Sequence, residues 1–391
     1  MVLIGVIIPY IMKKILTICT IIITFNLSLF ASLETFENFV QKEVKDKQPP
    51  SASFAILKGN KVVYTKSMGF NDRKMTHITN TNSVYHVYSL TKILTATLVM
   101  QLIEEKKLSL NDPIKKFFPH FNLKYNNKEI TVTIENLLNH SSGLKDGMKN
   151  ISEMINGEKN LHIDLPYLPG SEAKYSSAEY IILSQIVEQV TMESFNDLIH
   201  KHILKPLKME RSDFTYNDAI KNNQVYGTLQ FFSIIDTVMK FMVSEESKES
   251  YEGSMLWLKE FDITWKAAGG LVSSIDDMAK FLAAFNGNKL FSEETKKLFF
   301  NKPSIPVHSW MTSQEETTFG IGWYHIHDKG KFFYQHQGVG PGFRTIMRIY
   351  PKEDVSIIIL TSQTSVDIDV WADKLIESVL YVNPVLDNIA P

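Results

Sequence analysis

Apolar and polar positions along the chain follow two periods, and the places where one gives way to the other outline the fold. From Leu33 to Val44 the apolar residues Leu33, Phe36, Phe39 and Val40 share one side of a helix. Ser53–Lys58 and Lys61–Thr65, joined by Gly59-Asn60, read as a two-stranded hairpin. An extended stretch, Asn82–Tyr88, leads into the run Ile93–Ile103, which has neither Gly nor Pro and is apolar on nearly every side, the mark of a buried helix. Thr133–Leu138, Ser177–Glu193 and Phe195–Ile203 carry shorter helical patterns, and the charged run Glu245–Glu252 reads as a solvated loop. Ser274 caps a helix reaching Phe285. Strand patterns return at Phe319–His327, Lys331–Gln337, Phe343–Tyr350 and Val355–Thr361, and a last helix spans Asp367–Tyr381.

Two strands early, four late and helices between them imply an α+β fold. One antiparallel sheet is built from both chain ends and flanked by helices, with an inserted, mainly helical region. The expected organisation is a single domain over residues 32–391. Its α/β part comprises 32–122 and 265–391, its helical region 123–264, and a cleft lies where they meet.

Composition narrows the chemistry. A net charge of -2 over 391 residues leaves no basic footprint for nucleic acid. The single cysteine, Cys19, lies in the first 31 residues, so the rest of the chain offers no disulfide or thiolate. Those first residues read as a targeting segment. Lys13 and Lys14 follow Met12, Ile15–Phe25 is apolar, and Ala31 precedes a cleavage point. A secretory signal starting at Met12 implies export to the periplasm or outside the cell. The competing reading is an uncleaved membrane anchor, because Leu29 stands where a small residue is usual. No later stretch is long and apolar enough to span a bilayer.

Candidate chemistry starts at the head of the buried helix. Between Ser89 and Ile103 the only charge is Lys92, three positions after Ser89 and on the same helical face. A buried ammonium needs a purpose, and a desolvated lysine can accept a serine proton near neutral pH. Ser-x-x-Lys occurs three times, at Ser89/Lys92, Ser142/Lys145 and Ser171/Lys174, but only the first opens a buried helix. A capping serine with a snorkelling lysine is the plain alternative. Three further stretches stand out: the turn-rich loop Leu168–Ser177 around Tyr175, the glycine cluster after Gln335-His336-Gln337, and Ala267–Ser274, which reads as close packing. His325 and His327 alternate on a strand without a carboxylate cluster, so no metal site is expected.

Together, Ser89-Leu90-Thr91-Lys92, Tyr175-Ser176-Ser177 and His336-Gln337-Gly338 resemble, in order and spacing, the serine β-lactamase-like hydrolases. That group holds class C β-lactamases, D-alanyl-D-alanine carboxypeptidases, D-aminopeptidases and related esterases. Leu137–Leu144, Pro169-Gly170, Gly269-Gly270-Leu271 and Gly320–Trp323 are similar too. The resemblance implies an exported hydrolase that needs no cofactor or metal. Ser89 forms an acyl-enzyme, and Lys92 and Tyr175 share the proton, with either as the base. The N–H groups of Ser89 and Val339, next to Gly338, make the oxyanion hole, and Ser177 and His336 position the substrate. A D-alanyl peptide, amide or ester is the expected substrate. Ser177 stands where the family commonly has Asn, and Gln337 replaces a Thr, so efficient β-lactam hydrolysis is disfavoured. The alternative is a penicillin-binding or sensing domain that acylates without turnover.

Overall fold

The computed structural model describes residues 33–46, 48–145, 161–301, 305–307 and 316–380; the targeting segment and Tyr381 lie outside them. Eight strands form one sheet, antiparallel throughout. In spatial order they are Ile305–Pro306, Glu316–Phe319, Tyr324–Asp328, Lys331–Gly340, Phe343–Tyr350, Val355–Thr361, Ser51–Lys58 and Lys61–Gly69. Val355–Thr361 pairs with Ser51–Lys58, so the chain ends meet inside the sheet as the sequence suggests.

Alternation within these central strands divides the core. Ala55, Leu57, Ile358 and Leu360 face the helices Thr91–Glu104 and Ile275–Asn286, whereas Phe54, Ile56, Ile357 and Ile359 face the helices at 33–45 and Ile368–Leu380. Both faces are covered, which explains near-continuous apolar strands instead of the polar-out pattern of a one-sided sheet.

Two expectations are corrected. Phe319–His327 is not one strand: a tight turn, with Gly320 N–H bonded to the Trp323 carbonyl (2.9 Å) and Gly322 at φ +72°, separates Glu316–Phe319 from Tyr324–Asp328. Glu245–Glu252 is not all loop either. After one helical turn, Lys248–Glu252 pairs with Met255–Leu258, which also takes Thr228–Gln230 as a neighbour. Backbone pairing there outweighs a composition that reads as solvated. With Phe121–Tyr125, Lys128–Glu129 and Leu161–Asp164 forming another small sheet, the inserted region is less purely helical than its pattern implies.

Candidate active site

Ser89 sits in a single 3-10 turn, Tyr88–Leu90, between the strand Val84–His86 and the helix Thr91–Glu104. Tyr88 holds φ +46°, an unfavourable conformation for a bulky side chain that persists only where its surroundings fix it. They do so here. The Tyr88 hydroxyl donates to the Pro341 carbonyl (2.6 Å), and Thr91 Oγ1 donates to the Tyr88 carbonyl (2.6 Å). The strand Lys331–Gly340 approaches so closely that a Cβ on Gly338 would lie 2.1 Å from the Val87 carbonyl oxygen. One on Gly340 would lie 2.3 Å from the Tyr88 ring. Glycine at both positions is a condition of the approach.

Lys92 is fully buried, and its Nζ donates to Ser89 Oγ (3.2 Å), Ser177 Oγ (3.3 Å) and the Ala268 carbonyl (2.6 Å). It also stands 4.8 Å from the centre of the Tyr175 ring. The structure therefore gathers Ser89, Lys92, Tyr175 and Ser177 from two distant segments. Ala268, read from the sequence as packing, contributes a carbonyl that fixes the amine. Its stretch is pinned again where Thr95 Oγ1 donates to the Ala267 carbonyl (2.7 Å).

Val339 faces the same place for a topological reason. Asp328↔Lys331 closes a two-residue hairpin, and alternation from it directs the odd-numbered N–H groups of Lys331–Gly340 toward Tyr324–Asp328. That neighbour's pairing ends at Tyr324↔Gln335, so the Val339 N–H points past the end of the strand into the cavity. The Ser89 N–H lies in the first turn of its helix, where amides lack intrahelical acceptors. Together they form a pair of donors suited to an oxyanion.

His336 is buried, and its Nδ1 lies 2.9 Å from the Gln337 carbonyl, which fixes Nδ1 as the donor and leaves Nε2 as an acceptor. Burial, reinforced by the nearby Lys92 charge, depresses its pKa to about 3. The imidazole is neutral at ordinary pH and offers no charge to a substrate carboxylate. Gln337 also borders the cavity, yet its side-chain amide donates to Asp369 (2.8 Å) and accepts from Arg344 (2.8 Å), turned away from the serine.

A buried pair that the sequence did not single out backs Tyr175. Glu179 bonds Nδ1 of His140 and accepts the Ser142 N–H (3.3 Å). His140 accepts from the Lys174 N–H at its carbonyl (2.9 Å) and packs its ring 4.5 Å from that of Tyr175. Burial first, then Lys92 and His336, hold the His140 imidazole well below the usual histidine range. Glu179 had no visible signal: an acid in the first turn of Ser177–Thr191 is ordinary, and nothing in the spacing points to His140.

Ser89, Tyr175, Ser177, His336 and Val339 line one cavity of about 490 Å³, closed on the other side by Met239, Met242, Phe261, Ile263 and Trp265. Gly338 lies behind it, against Val87. Among the described residues, no group of three or more His, Cys, Asp or Glu side chains could hold a metal ion.

Fold and site together define a serine-hydrolase architecture with the nucleophile at a helix head. The family model described as Beta-lactamase matches residues 36–378, and the chain belongs to that family. It is 23% identical over 354 residues to Protein flp of Staphylococcus aureus (strain MW2). That alignment covers 88% of this chain and 65% of the relative, so the chain spans about two thirds of that protein's length. Two solved structures share the fold. A D-amino acid amidase from Ochrobactrum anthropi SV3 has a TM-score of 0.73 at 18% identity, covering 88% of this chain and 98% of the other. An octameric penicillin-binding protein homologue from Pyrococcus abyssi has a TM-score of 0.70 at 23% identity, covering 91% and 77%.

Proposed function

We propose that the protein is an exported serine hydrolase that cleaves an amide or ester through an acyl-enzyme at Ser89, with D-alanyl peptides, amides and esters as the substrate class. The observation that carries this reading is the buried Lys92 amine, 3.2 Å from Ser89 Oγ and beside the Tyr175 ring. Ser89 Oγ attacks the acyl carbon, and its proton passes through Lys92 and Tyr175 to the leaving nitrogen or oxygen. The Ser89 and Val339 N–H groups receive the negative charge on the carbonyl oxygen. Water then adds to the ester, the same pair takes its proton, and the acid departs as Ser89 regains its hydrogen. The neutral His336 favours substrates whose contact there is a hydrogen-bond donor over those ending in a carboxylate. The basic and apolar leader supports export.

A fluorophosphonate or a fluorescent penicillin should label the protein, and Ser89→Ala should remain dark; labelling of Ser89→Ala overturns the assignment. A panel of nitrocefin, D-Ala-D-Ala peptides, D-amino-acid amides and short p-nitrophenyl esters then locates the substrate. Stoichiometric labelling without turnover of any member points instead to a binding or sensing domain.

A further inference from the structure

The helix Ile234–Phe241 is built inside out. Its acid, Asp236, is buried and accepts the Gln230 N–H (2.7 Å). Most apolar side chains on and beside it face water: Phe231 and Phe232 before it, Ile234, Val238 and Phe241 within it and Met242 after it are 55% to 87% exposed, while Met239 turns inward. Positions 234, 238, 241 and 242 follow helical spacing and form one stripe. Isolated surface apolar residues need no explanation, but four on one stripe, with Phe231 and Phe232 exposed just before it, mark an interaction surface.

We propose that this face docks on a lipid bilayer. Two observations favour lipid over a protein partner. The stripe continues into the catalytic cavity, because Met242 belongs to both and Met239, from the same helix, lines the cavity wall. What covers the stripe therefore also borders the cavity mouth, as a bilayer supplying apolar substrates does. At its border, Lys240 Nζ stands 5.1 Å over the half-exposed Tyr251 ring. That amphipathic pair suits the headgroup level, where an ammonium meets lipid phosphate while the apolar residues enter the acyl region. The docking itself stands apart from the catalytic assignment; only its consequence, access to substrates with aliphatic chains, rests on the proposed hydrolase.

The test uses the full chain with Cys19→Ser and Phe241→Cys, labelled at position 241 with an environment-sensitive dye. The label reports the stripe itself, whatever the N-terminal segment does. Phosphatidylcholine vesicles containing phosphatidylglycerol should shift the emission to the blue and raise it about twofold or more as the probe leaves water. Separately, Phe232→Ser/Ile234→Ser/Phe241→Ser should weaken vesicle recruitment about tenfold or more. Its turnover of a soluble p-nitrophenyl ester should stay within about twofold of the parent's, since none of the three lines the cavity. A probe that stays water-exposed while the protein floats with vesicles overturns the proposal. So does unchanged recruitment of the triple variant, or a dimer in light scattering that the triple substitution dissolves, which would assign the face to a second copy. Absence of turnover of every member of the substrate panel by the parent refutes the hydrolase reading and leaves the probe result standing.

Discussion

The two faces of the strand Lys331–Gly340 do opposite things with charge. On one, Gln335 and Gln337 meet Arg348, Arg344 and Asp369, and Arg348 ties the sheet to the helix Ile368–Leu380 through Asp369 (2.6 Å) and Asp373 (2.6 Å). These charges are paired and fixed. On the other, His336, Gly338 and Gly340 face the serine, and the two histidines gathered there, His140 and His336, are held neutral by burial and by the nearby Lys92 charge. A period of two lets one strand be both clamp and catalytic wall, and adjacent residues in it answer to different constraints.

The largest break comes from the amine. Lys92→Met keeps length and apolar stem but removes the amine proposed to share the proton with Tyr175, and kcat/KM on any ester the protein turns over should fall about a thousandfold. The native fold should survive, because the substitution removes a buried polar group whose partners are hydroxyls and a carbonyl. Near-parental acylation by the folded variant would eliminate Lys92 from the mechanism. Gly338→Ala tests the same wall through geometry. The added carbon meets the Val87 carbonyl oxygen and Thr345 Oγ1 (2.3 Å), so the strand must retreat and carry the Val339 N–H with it. Losing one oxyanion donor costs about a hundredfold or more, read in kcat with KM little changed. A variant that retains full kcat would show that Val339 is not a donor.

How much of this could be read in advance follows from the same contrast. Ser89 and Lys92 stood out locally, as a lone charge at the head of an apolar helix. Tyr175 and His336, each compatible with plain packing or a turn, were singled out only by the family resemblance. The structure brings all four to one place. The sheet's origin in both chain ends was legible from strand periodicity. Glu179 and Ala268 were not. Glu179 acts through a residue 39 positions away and Ala268 through a backbone oxygen that any residue possesses. Gln337 was misleading for a related reason: sequence order set it beside His336, while strand alternation sends its amide to the other face. The strand at Lys248–Glu252 was hidden because pairing with Met255–Leu258 is a long-range fact about backbone, and the local composition is that of a solvated loop.

The clamp face should break by stability instead of chemistry. Arg348→Met leaves Asp369 and Asp373 without their shared cation. Because both acids are partly exposed, the loss should sit near the low end for a broken buried pair, about 3 kcal/mol in urea unfolding. The fraction still folded should acylate at the parental rate. Slower acylation per folded molecule would mean that the clamp positions the site as well.

Acid should separate the faces next. His86 and His336 have pKa values held near 3 by burial, and His325 near 4, against about 6.5 in the unfolded chain. Below pH 6.5 the unfolded chain takes up protons that the folded one refuses, so stability falls with falling pH, by up to about 1.4 kcal/mol per histidine per unit, until each folded pKa is reached. Urea midpoints should thus begin to drop near pH 6.5, before carboxylates titrate. His336→Gln should reduce the slope by about one proton. A midpoint that is flat down to pH 5 contradicts the buried, neutral assignment.

The smallest effect should come from Gln337→Thr, which restores the residue type usual in the family's motif at this place. Were position 337 to act through its side chain at the site, the hydroxyl should alter turnover strongly and in favour of β-lactams. The structure directs that side chain to Asp369 and Arg344 instead, so the substitution removes two hydrogen bonds to charged groups on the clamp face. The expected result is a stability loss of about 1.5 kcal/mol with kcat/KM within about threefold of the parent for esters and nitrocefin alike. A large gain confined to nitrocefin would show that the side chain of residue 337 reaches the bound substrate, and the division of the strand into two independent faces would fail at that position.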